Sequence, residues 1–179
     1  GDQGGTLTGR LSYSHPNLQQ LPNYNEFGTG IRSIFSPNSD EEKWGCFDYS
    51  QQEPRLVIHF ALRTPGIIGV DGMAKAFHED PSTDFHQIVA DIAGIDRKEA
   101  KTINLGLFYG MGVAKLQDQL GINDEEEAKE LINKYHLKVP FVKQLMKQTM
   151  NRAQTAGRIR TIGGRLCRFD KWEPKDWNS

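Results

Sequence analysis

The sequence predicts an α+β fold in which helices fill the middle of the chain and short antiparallel strands lie towards its two ends. Three patterns indicate this fold. Apolar residues recur with helical spacing between residues 82 and 156. Two short extended runs flank a pair of adjacent glycines within residues 157–169, which is a hairpin signal. Two further extended runs, 31–35 and 44–50, are separated by a polar turn.

Composition limits the class of protein. The chain has 179 residues, of which 37% are hydrophobic, enough for one domain or two small lobes with a packed core. Its formal net charge of −1 gives no case for nucleic-acid binding, so any such case must come from local clusters. The two cysteines, Cys46 and Cys167, are far apart, which favours a reducing compartment over a disulfide scaffold or a zinc site. No apolar run reaches membrane-spanning length, and the polar, Gly-rich start is typical of the interior of a longer chain.

The first part of the chain is rich in proline, glycine and polar residues, and we expect mostly loops before residue 44. Within it, "IRSIF" (Ile31–Phe35) alternates as a strand does, and "WGCFDYS" (Trp44–Ser50) is a second short strand. The two are expected to pair as a hairpin. Asp48 would then stand at a strand end, where a lone carboxylate suggests a metal ligand.

A helix is expected next, because "SQQE" (Ser50–Glu53) has the form of a capping box. Pro54 must lie in its first turn, since farther in it would remove a helix hydrogen bond. A short helix near Met73–His78 follows in a stretch rich in glycine and proline. The predicted apolar face of the first of these helices is Leu56, Val57, Phe60 and Ala61.

Two helices occupy the centre of the chain. Ser82 or Thr83 caps the first, and Gly94 ends it. Asp96 caps the second, which runs over Arg97–Phe108. The predicted inward face of the first is Phe85, Ile88, Val89 and Ile92.

Two more helices precede the terminal hairpin. Asn123 or Asp124 caps one of them, and its acidic first turn suits the positive end of the helix dipole. Pro140 begins the other, and Gly157 ends it. Leu145 and Met146 are expected to face inward from this last helix.

The helix that Asp96 caps carries the most informative pattern. Its residues Arg97, Lys101, Leu105 and Tyr109 are spaced by four and therefore share one face. Two cations, an apolar side chain and an aromatic ring could receive a polyanion and a flat base, as a nucleoside triphosphate requires. Spacing alone favours the alternative, a solvated basic stripe that merges into a core aromatic. Gly106 costs this helix about 1 kcal/mol relative to alanine, which favours close approach of a ligand or another backbone.

The last third of the chain is strongly basic. Between residues 137 and 172 Asp170 is the only acid, a composition typical of a phosphate-binding surface. A basic face balanced by the acidic segment 124–130 is an alternative of equal weight. The cations are Lys138, Lys143, Lys147, Arg152, Arg158, Arg160, Arg165, Arg168 and Lys171.

Three segments resemble motifs of the family A DNA polymerases, the group of bacterial DNA polymerase I and related phage enzymes. "TGRLSYSHPNLQQLP" (Thr8–Pro22) is similar to the T-G-R-L-S-S-x-x-P-N-L-Q-N-I-P segment of that family. "DYSQQEPR" (Asp48–Arg55) is similar to D-Y-S-Q-I-E-L-R. "RKEAKTINLGLFYG" (Arg97–Gly110) resembles the helix R-x-x-x-K-x-x-N-F-G-x-x-Y-G. The three occur in the family's order and frame most of the chain, which is more specific than any one motif.

The resemblance implies a two-metal catalytic site. Asp48 would be a metal-binding aspartate of the palm, and the backbone carbonyl of Tyr49 would help to hold the second of two Mg²⁺ ions. The family's second catalytic aspartate belongs to an H-D-E motif that we expect beyond this chain. "FHED" (Phe77–Asp80) has a similar form, but it precedes the nucleotide helix in a Gly/Pro-rich region, and we reject it.

The same resemblance implies a site for the incoming nucleotide. Arg97 and Lys101 would grip the triphosphate, and Lys101 would also protonate the departing pyrophosphate. His86 would contact phosphate. Tyr109 and Gly110 would lie at the nascent base pair.

Glu53 would be the steric gate that excludes a ribose 2′-hydroxyl, a role compatible with helix capping. His59, on the apolar helix, is interpreted as packing. Leu105 departs from the family, which has phenylalanine or tyrosine at that position, so the ring that would pack against the sugar is absent. Further departures, at the start of the same helix as Glu53, are Gln52 and Pro54.

The resemblance also implies contacts with DNA. Arg10 would reach the minor groove at the primer end, with Asn17 and Gln19 near the template–primer. Arg165, in a hairpin similar to the family's T-x-x-G-R-x-R, would contact the DNA backbone. The implied partners are therefore a DNA primer–template and deoxynucleoside triphosphates, with no membrane.

The implied function is template-directed DNA synthesis in the cytoplasm of a bacterium or phage-infected cell, for replication or repair. This chain would be an incomplete portion of the enzyme: partial palm over 1–63, helical fingers over 64–156, and a basic hairpin over 157–179 that returns towards the palm. Two alternatives stay open, a catalytically inactive fragment that binds nucleotide or DNA, and a relative of the single-subunit RNA polymerases. Glu53 favours the DNA enzyme over the RNA enzyme.

Overall fold

A computed structural model describes residues 9–22 and 25–169 of the chain. It contains two compact units, Gly1–Asp48 and Tyr49–Ser179. The boundary between them follows the aspartate of the D-Y-S-Q motif directly.

The first unit has little regular structure. Its described part, residues 9–22 and 25–48, contains a 3-10 turn, Leu18–Gln20, and one helix, α1, Glu26–Ser33. The side chain of Asn25 caps α1 by accepting a hydrogen bond from the Gly28 N–H at 2.7 Å. Near the end of the helix, the Arg32 guanidinium donates to the backbone carbonyls of Leu21 and Pro22.

The predicted hairpin of Ile31–Phe35 with Trp44–Ser50 is wrong. Ile31 lies in the last turn of α1, and residues 42–49 have no regular secondary structure. Two isoleucines three residues apart, at 31 and 34, fit a helical period as well as a strand, so the short apolar run was ambiguous. Asp48 consequently stands in an irregular segment and not at a strand end.

Over residues 49–169, the second unit is a bundle of seven helices followed by one hairpin. The helices are α2, Gln52–Arg63; α3, Asp71–Glu79; α4, Phe85–Ala93; α5, Arg97–Phe108; α6, Val113–Leu120; α7, Glu125–Lys138; and α8, Pro140–Ala156. Strands β1, Arg158–Arg160, and β2, Leu166–Arg168, pair antiparallel. The described residues are thus mostly helical with one two-stranded antiparallel sheet. This confirms the prediction of a helix-rich chain with short antiparallel strands.

Local signals set most helix ends. Asp96 and Glu99 form a complete capping box at the start of α5. Asp124 caps α7, and Pro140 stands at the start of α8. Gly94 and Gly157 end α4 and α8 with positive φ values of 69° and 60°.

Two predicted caps are wrong because other residues occupy the N-cap positions. Asp84 caps α4, since the Thr83 hydroxyl donates to the Ala76 carbonyl and the Ser82 hydroxyl donates to Asp80. The N-cap residue of α2 is Gln51, in the left-handed conformation, and its side chain makes no capping bond. The predicted box of Ser50 with Glu53 does not form, although Pro54 lies in the first turn as expected.

The core of the second unit lies between the helices. It comprises Ile58, Ala61, Val70, Ala74, Phe77, Phe85, Val89, Ala90, Ala100, Ile103, Leu107, Leu116, Ala128, Tyr135, Val139, Phe141 and Val142. Ile58 is more buried than the predicted Leu56, Val57 and Phe60, and Ile92 of the predicted α4 face is exposed. The described part of the chain has no helix long and apolar enough to cross a membrane.

Candidate functional site

The exposed stripe on α5 has the arrangement that the spacing predicts. Arg97 and Lys101 are exposed, Leu105 is half-buried, and Tyr109 is 71% exposed where the helix ends. The opposite face is buried against α4 and the core through Ala100, Ile103, Asn104 and Leu107. The stripe is therefore presented by a helix whose other side is fixed by packing.

The N-terminus of α4 lies beside the first turn of α5. Oδ1 of Asp84 accepts hydrogen bonds from the backbone N–H groups of His86 and Gln87, at 2.9 and 3.1 Å. Oδ2 of the same residue accepts from Nε of Arg97 at 2.6 Å. Partial burial acts to raise the pKa of Asp84, but the bonds from Arg97 and the two N–H groups outweigh it and lower that pKa.

His86 lies within electrostatic reach of four charged side chains. Its side chain is buried, and Nδ1 lies 2.9 Å from Nδ2 of the fully buried Asn104. Burial lowers the pKa of His86; Asp84 and Glu53 act to raise it, and Arg97 and Lys101 act to lower it further. Four charged side chains therefore act electrostatically on the imidazole ring. The fold brings together Glu53, His86, Arg97 and Lys101, which lie on three different helices.

Gln51 ties the start of α2 to the start of α4. Its side-chain Nε2 donates to the Thr83 carbonyl and its Oε1 accepts from the Phe85 N–H, each at 2.7 Å. Gln51 reaches both groups with a φ of 51°, a left-handed conformation that is rare for glutamine. This amide bridge holds Glu53, two residues along the chain, near the α4 terminus.

Arg55 adds a second tie between the same segments. Its guanidinium donates to the carbonyls of Ser50 and Pro81, and it stacks 4.6 Å from the centre of the Phe77 ring. His59, one turn farther along α2, makes an edge-on contact with Phe60. The arginine of the D-Y-S-Q-Q-E-P-R segment therefore orders the loop that precedes α2.

Asp48 and Tyr49 are both exposed, Tyr49 by 81%. Asp48 closes the first unit and Tyr49 opens the second. Within residues 9–22 and 25–169 there is no group of three or more His, Cys, Asp or Glu side chains that could hold a metal ion. Among the described residues, Asp48 therefore belongs to no group of three or more such side chains.

A cavity of about 560 Å³ opens beside the end of α5. Tyr109 and Gly110 form the turn after the helix: the Gly110 N–H donates to the Leu107 carbonyl and the Met111 N–H donates to the Gly106 carbonyl, a Schellman motif. Gly110 has a φ of 78°, as this motif requires. The cavity is lined by Thr102, Leu105, Gly106, Tyr109, Gly110, Met111, Gly112, Lys115 and Gln119.

The space beside Gly106 is occupied by the side chain of Met111. A Cβ added there would lie 2.2 Å from the terminal methyl of Met111 and 2.6 Å from its sulfur. The sequence led us to expect a ligand or another backbone at this glycine, but a methionine side chain fills the space. Sequence reasoning missed Met111, Lys115 and Gln119 as lining residues because it did not predict α6, on which the last two lie.

The residues expected to contact DNA are spread over both units. Arg10, Asn17 and Gln19 belong to the first, where all three are exposed and the Gln19 amide donates to the Leu11 carbonyl at 3.0 Å. Arg165 is exposed in the turn of the second unit's hairpin. On that hairpin Arg158 pairs directly with Arg168, and like charges opposite each other are destabilising unless an anion lies between them.

Comparisons with known proteins agree on one family. The sequence pattern of DNA polymerase family A matches residues 2–179. A DNA-directed DNA polymerase of Pseudomonas phage M6 is 39% identical over 97% of this chain and 32% of its own length. The thermostable DNA polymerase I of Thermus filiformis is 35% identical over 92% of this chain and 19% of its own.

A solved structure shows the same likeness in three dimensions. The polymerase domain of Pol1 from M. smegmatis, in complex with DNA primer–template and dNTP, superposes with a TM-score of 0.73 at 29% sequence identity. The match covers 95% of this chain and 30% of that one. The chain thus spans about a third or less of the length of the relatives it matches.

Proposed function

The chain belongs to DNA polymerase family A, and on that premise we propose that it forms part of an enzyme for template-directed DNA synthesis, which transfers deoxynucleotides to a primer 3′-hydroxyl. The observation that carries the proposal is a cluster of four side chains near the N-terminal ends of α2, α4 and α5. They are Glu53, His86, Arg97 and Lys101. In the proposed palm and fingers, residues 1–63 belong to the palm, 64–156 to the fingers and 157–179 to a hairpin that returns to the palm.

The α5 stripe would bind the triphosphate. Arg97 and Lys101 are exposed cations one helical turn apart, a spacing that suits two phosphate groups of one nucleotide. Lys101 would give a proton to the departing pyrophosphate, because an ammonium beside the leaving oxygen can neutralise the charge that develops there. In the structure Arg97 is held by Asp84, which positions the guanidinium before any nucleotide arrives.

The end of α5 would receive the base. Tyr109 has an exposed ring. Gly110, which follows it with a positive φ, has no side chain that would obstruct a base. Leu105 would contact the sugar, and Glu53 would close the space beside the 2′ position. The cavity next to Tyr109 has room for one base, since small-ligand sites are typically about 300–1,000 Å³.

Asp48 and the Tyr49 carbonyl have the hard oxygen donors that Mg²⁺ prefers. Two such ions would lower the pKa of the primer hydroxyl and neutralise phosphate charge when bound. No group of three ligand side chains exists among the described residues, so Asp48 and Tyr49 would supply only part of the site. The further ligand we propose is a carboxylate outside this chain.

Primer–template contacts would come from both units. Arg10, Asn17 and Gln19 form an exposed polar segment of the first unit, and Arg165 lies on a hairpin with three more exposed arginines. Arginine and lysine contacts to phosphates position a duplex without reading its sequence. The solved relative that is bound to primer–template and dNTP supports this pair of partners.

Primer extension by the full-length polymerase that contains this chain tests the proposal. Asp48→Asn keeps the shape of the side chain and removes its charge, so we expect incorporation to be lost while duplex binding is unchanged. Asp91→Asn, on the exposed side of α4, is the matched control and should extend primers at the unaltered rate. An Asp48→Asn enzyme that extends primers normally would exclude Asp48 from the catalytic site.

A second candidate is nucleotide or DNA binding without turnover by the 179-residue chain. The lack of a three-ligand group among the described residues favours it for the chain alone. The chain and the full-length enzyme should then bind a labelled primer–template, but only the full-length enzyme should extend it. Normal extension by the 179-residue chain would contradict this division. Extension with NTPs instead of dNTPs would favour the RNA polymerase alternative.

A further inference from the structure

We propose that Asn104 fixes the His86 ring in the tautomer that carries its proton on Nε2, which makes His86 a neutral hydrogen-bond donor to the phosphates of the nucleotide. The ligand in this statement rests on the proposed function, whereas the tautomer does not. Asn104 would act as a positioning residue, through His86, and not by touching the nucleotide.

The contact is made in the interior, where hydrogen-bonding roles are most restricted. Asn104 is 0% exposed on the buried face of α5, and His86 is 5% exposed in the first turn of α4. Nδ2 of Asn104 lies 2.9 Å from Nδ1 of His86. An amide nitrogen can only donate, so Nδ1 must accept, and the single proton of a neutral imidazole is then on Nε2.

The orientation of the Asn104 amide follows from its other end. Oδ1 is buried and has no hydrogen-bond partner among the described residues. If the amide were reversed, Oδ1 would face His86 and an NH₂ group with two hydrogens would occupy the unpartnered place. Buried N–H groups without an acceptor are rarer than under-used carbonyl oxygens, so the observed orientation is the favourable one.

The charges around His86 give a neutral donor a distinct use. Burial and the cations Arg97 and Lys101 all disfavour an imidazolium at this place. A neutral ring with Nε2–H can donate to a phosphate oxygen without forming an ion pair with Asp84 or Glu53. Arg97 and Lys101 would supply the positive charge and His86 the directional bond.

The position of Asn104 in the sequence agrees with this role. Asparagine is a poor helix former, and at the centre of a helix it costs stability unless its side chain has a partner. Asn104 is three residues after Lys101 and adjacent to Leu105. Its one observed side-chain bond crosses from α5 to α4, so it connects the nucleotide helix directly to the histidine.

Long-range ¹H–¹⁵N correlation spectra of the unmodified 179-residue chain test the tautomer, because a protonated ring nitrogen and one with a free lone pair have different ¹⁵N shifts. The resonances of His86 are identified by their loss in His86→Gln. We expect a proton on Nε2 and none on Nδ1 at pH 7.5. A proton on Nδ1 would overturn the proposal, whatever the chain binds.

Asn104→Asp tests the cause. A carboxylate can only accept, so we expect the His86 proton to move to Nδ1 or the ring to become doubly protonated. Asn133→Asp adds the same charge on an exposed face of α7 and should leave the His86 spectrum unchanged. If His86 keeps a lone Nε2 proton in Asn104→Asp, Asn104 does not set the tautomer. Asn104→Leu repeats the test without an added charge. In this variant Nδ1 of His86 has no donor from position 104, and we expect a mixture of the two tautomers.

Titration with dATP tests the ligand separately. We expect the His86 Nε2 resonance to move on binding, and the affinity of Asn104→Asp to fall by about tenfold, the loss typical of one hydrogen bond to a charged group. If dATP binds and His86 does not respond, the donor role is wrong. If dATP does not bind at all, the proposed nucleotide site fails, and the spectra without nucleotide still decide whether Asn104 holds the tautomer.

Discussion

Asp84 contacts Arg97 with one carboxylate oxygen while its other oxygen caps helix α4. Oδ2 lies 2.6 Å from the arginine Nε, and Oδ1 accepts from the N–H groups of His86 and Gln87. One residue therefore both starts the helix that carries His86 and positions the first cation of the α5 stripe. The two functions can be separated by substitution, because asparagine keeps a capping oxygen and loses the charge.

We expect Asp84→Asn to lower the free energy of unfolding by about 0.5–1 kcal/mol, because the ion pair is half-exposed and such pairs contribute little. Asp84→Ala also loses the cap and should cost about 1 kcal/mol more. Urea unfolding of the two variants at pH 7.5 measures the difference. Equal losses in both would show that the cap oxygen contributes nothing beyond the charge.

The amide bridge of Gln51 gives a second matched pair. Gln51→Ala removes two hydrogen bonds and keeps a non-glycine residue at positive φ, so we expect a loss of about 2 kcal/mol. Gln51→Gly removes the same bonds but relieves the left-handed backbone, a difference of about 1 kcal/mol in its favour. Chemical denaturation should rank wild type above Gly and Gly above Ala. The reverse order of the two variants would contradict strain at this position.

The pH dependence of stability should report the two histidines whose pKa is lowered, the buried His86 and the half-buried His136. The pKa values of His86 and His136 are lowered, His86 by burial and its two cations, His136 by burial and Lys143. The folded state then binds fewer protons than the unfolded state. The stabilisation is complete above the unfolded histidine pKa of about 6.5 and is lost as the pH falls through the folded values.

We therefore expect the free energy of unfolding to decrease between pH 7.5 and pH 5, by at most about 1.4 kcal/mol per pH unit for each histidine. His86→Gln should remove its share of this slope. His78→Gln, on an exposed position of α3, is the control and should keep the whole slope. A His86→Gln variant with an unaltered slope would show that His86 titrates normally in the folded chain.

Glu53 is predicted to decide sugar selectivity in the full-length polymerase. It lies in the first turn of α2, within the electrostatic reach of His86. Glu53→Ala should raise incorporation of ribonucleotides relative to deoxynucleotides by about tenfold or more, since a single hydroxyl supports discrimination of up to about 100-fold. Single-nucleotide extension with paired dNTPs and NTPs measures this ratio. Glu79→Ala, on the exposed end of α3, should leave the ratio unchanged.

Elements whose signals lie close together in the sequence could be predicted. The bounds of α5 are as predicted, because Asp96, Glu99 and Gly110 all act within one turn of the helix ends. The stripe of Arg97, Lys101 and Leu105 also follows from spacing within one helix. The hairpin of β1 and β2 formed where two adjacent glycines predicted its turn.

Other parts could not be predicted, because they depend on contacts between elements. Ser82 and Thr83 are residue types that often cap helices, but their hydroxyl groups donate instead to the Asp80 carboxylate and the Ala76 carbonyl. The box at Ser50 did not form because Gln51 turned to meet the start of α4, 32 residues away. The pairing of Asn104 with His86 likewise has no signal in either residue alone, since it requires α4 and α5 to be packed together.

Met111 limits which residues position 106 accepts. A Cβ at position 106 would meet the methyl and sulfur at the flexible end of the Met111 side chain, so a larger residue there requires that this side chain move or be smaller. The reverse change is unrestricted, because a smaller residue at 111 leaves glycine acceptable at 106. Relatives with a larger residue at 106 should therefore have a smaller residue at 111, or a methionine whose side chain points elsewhere.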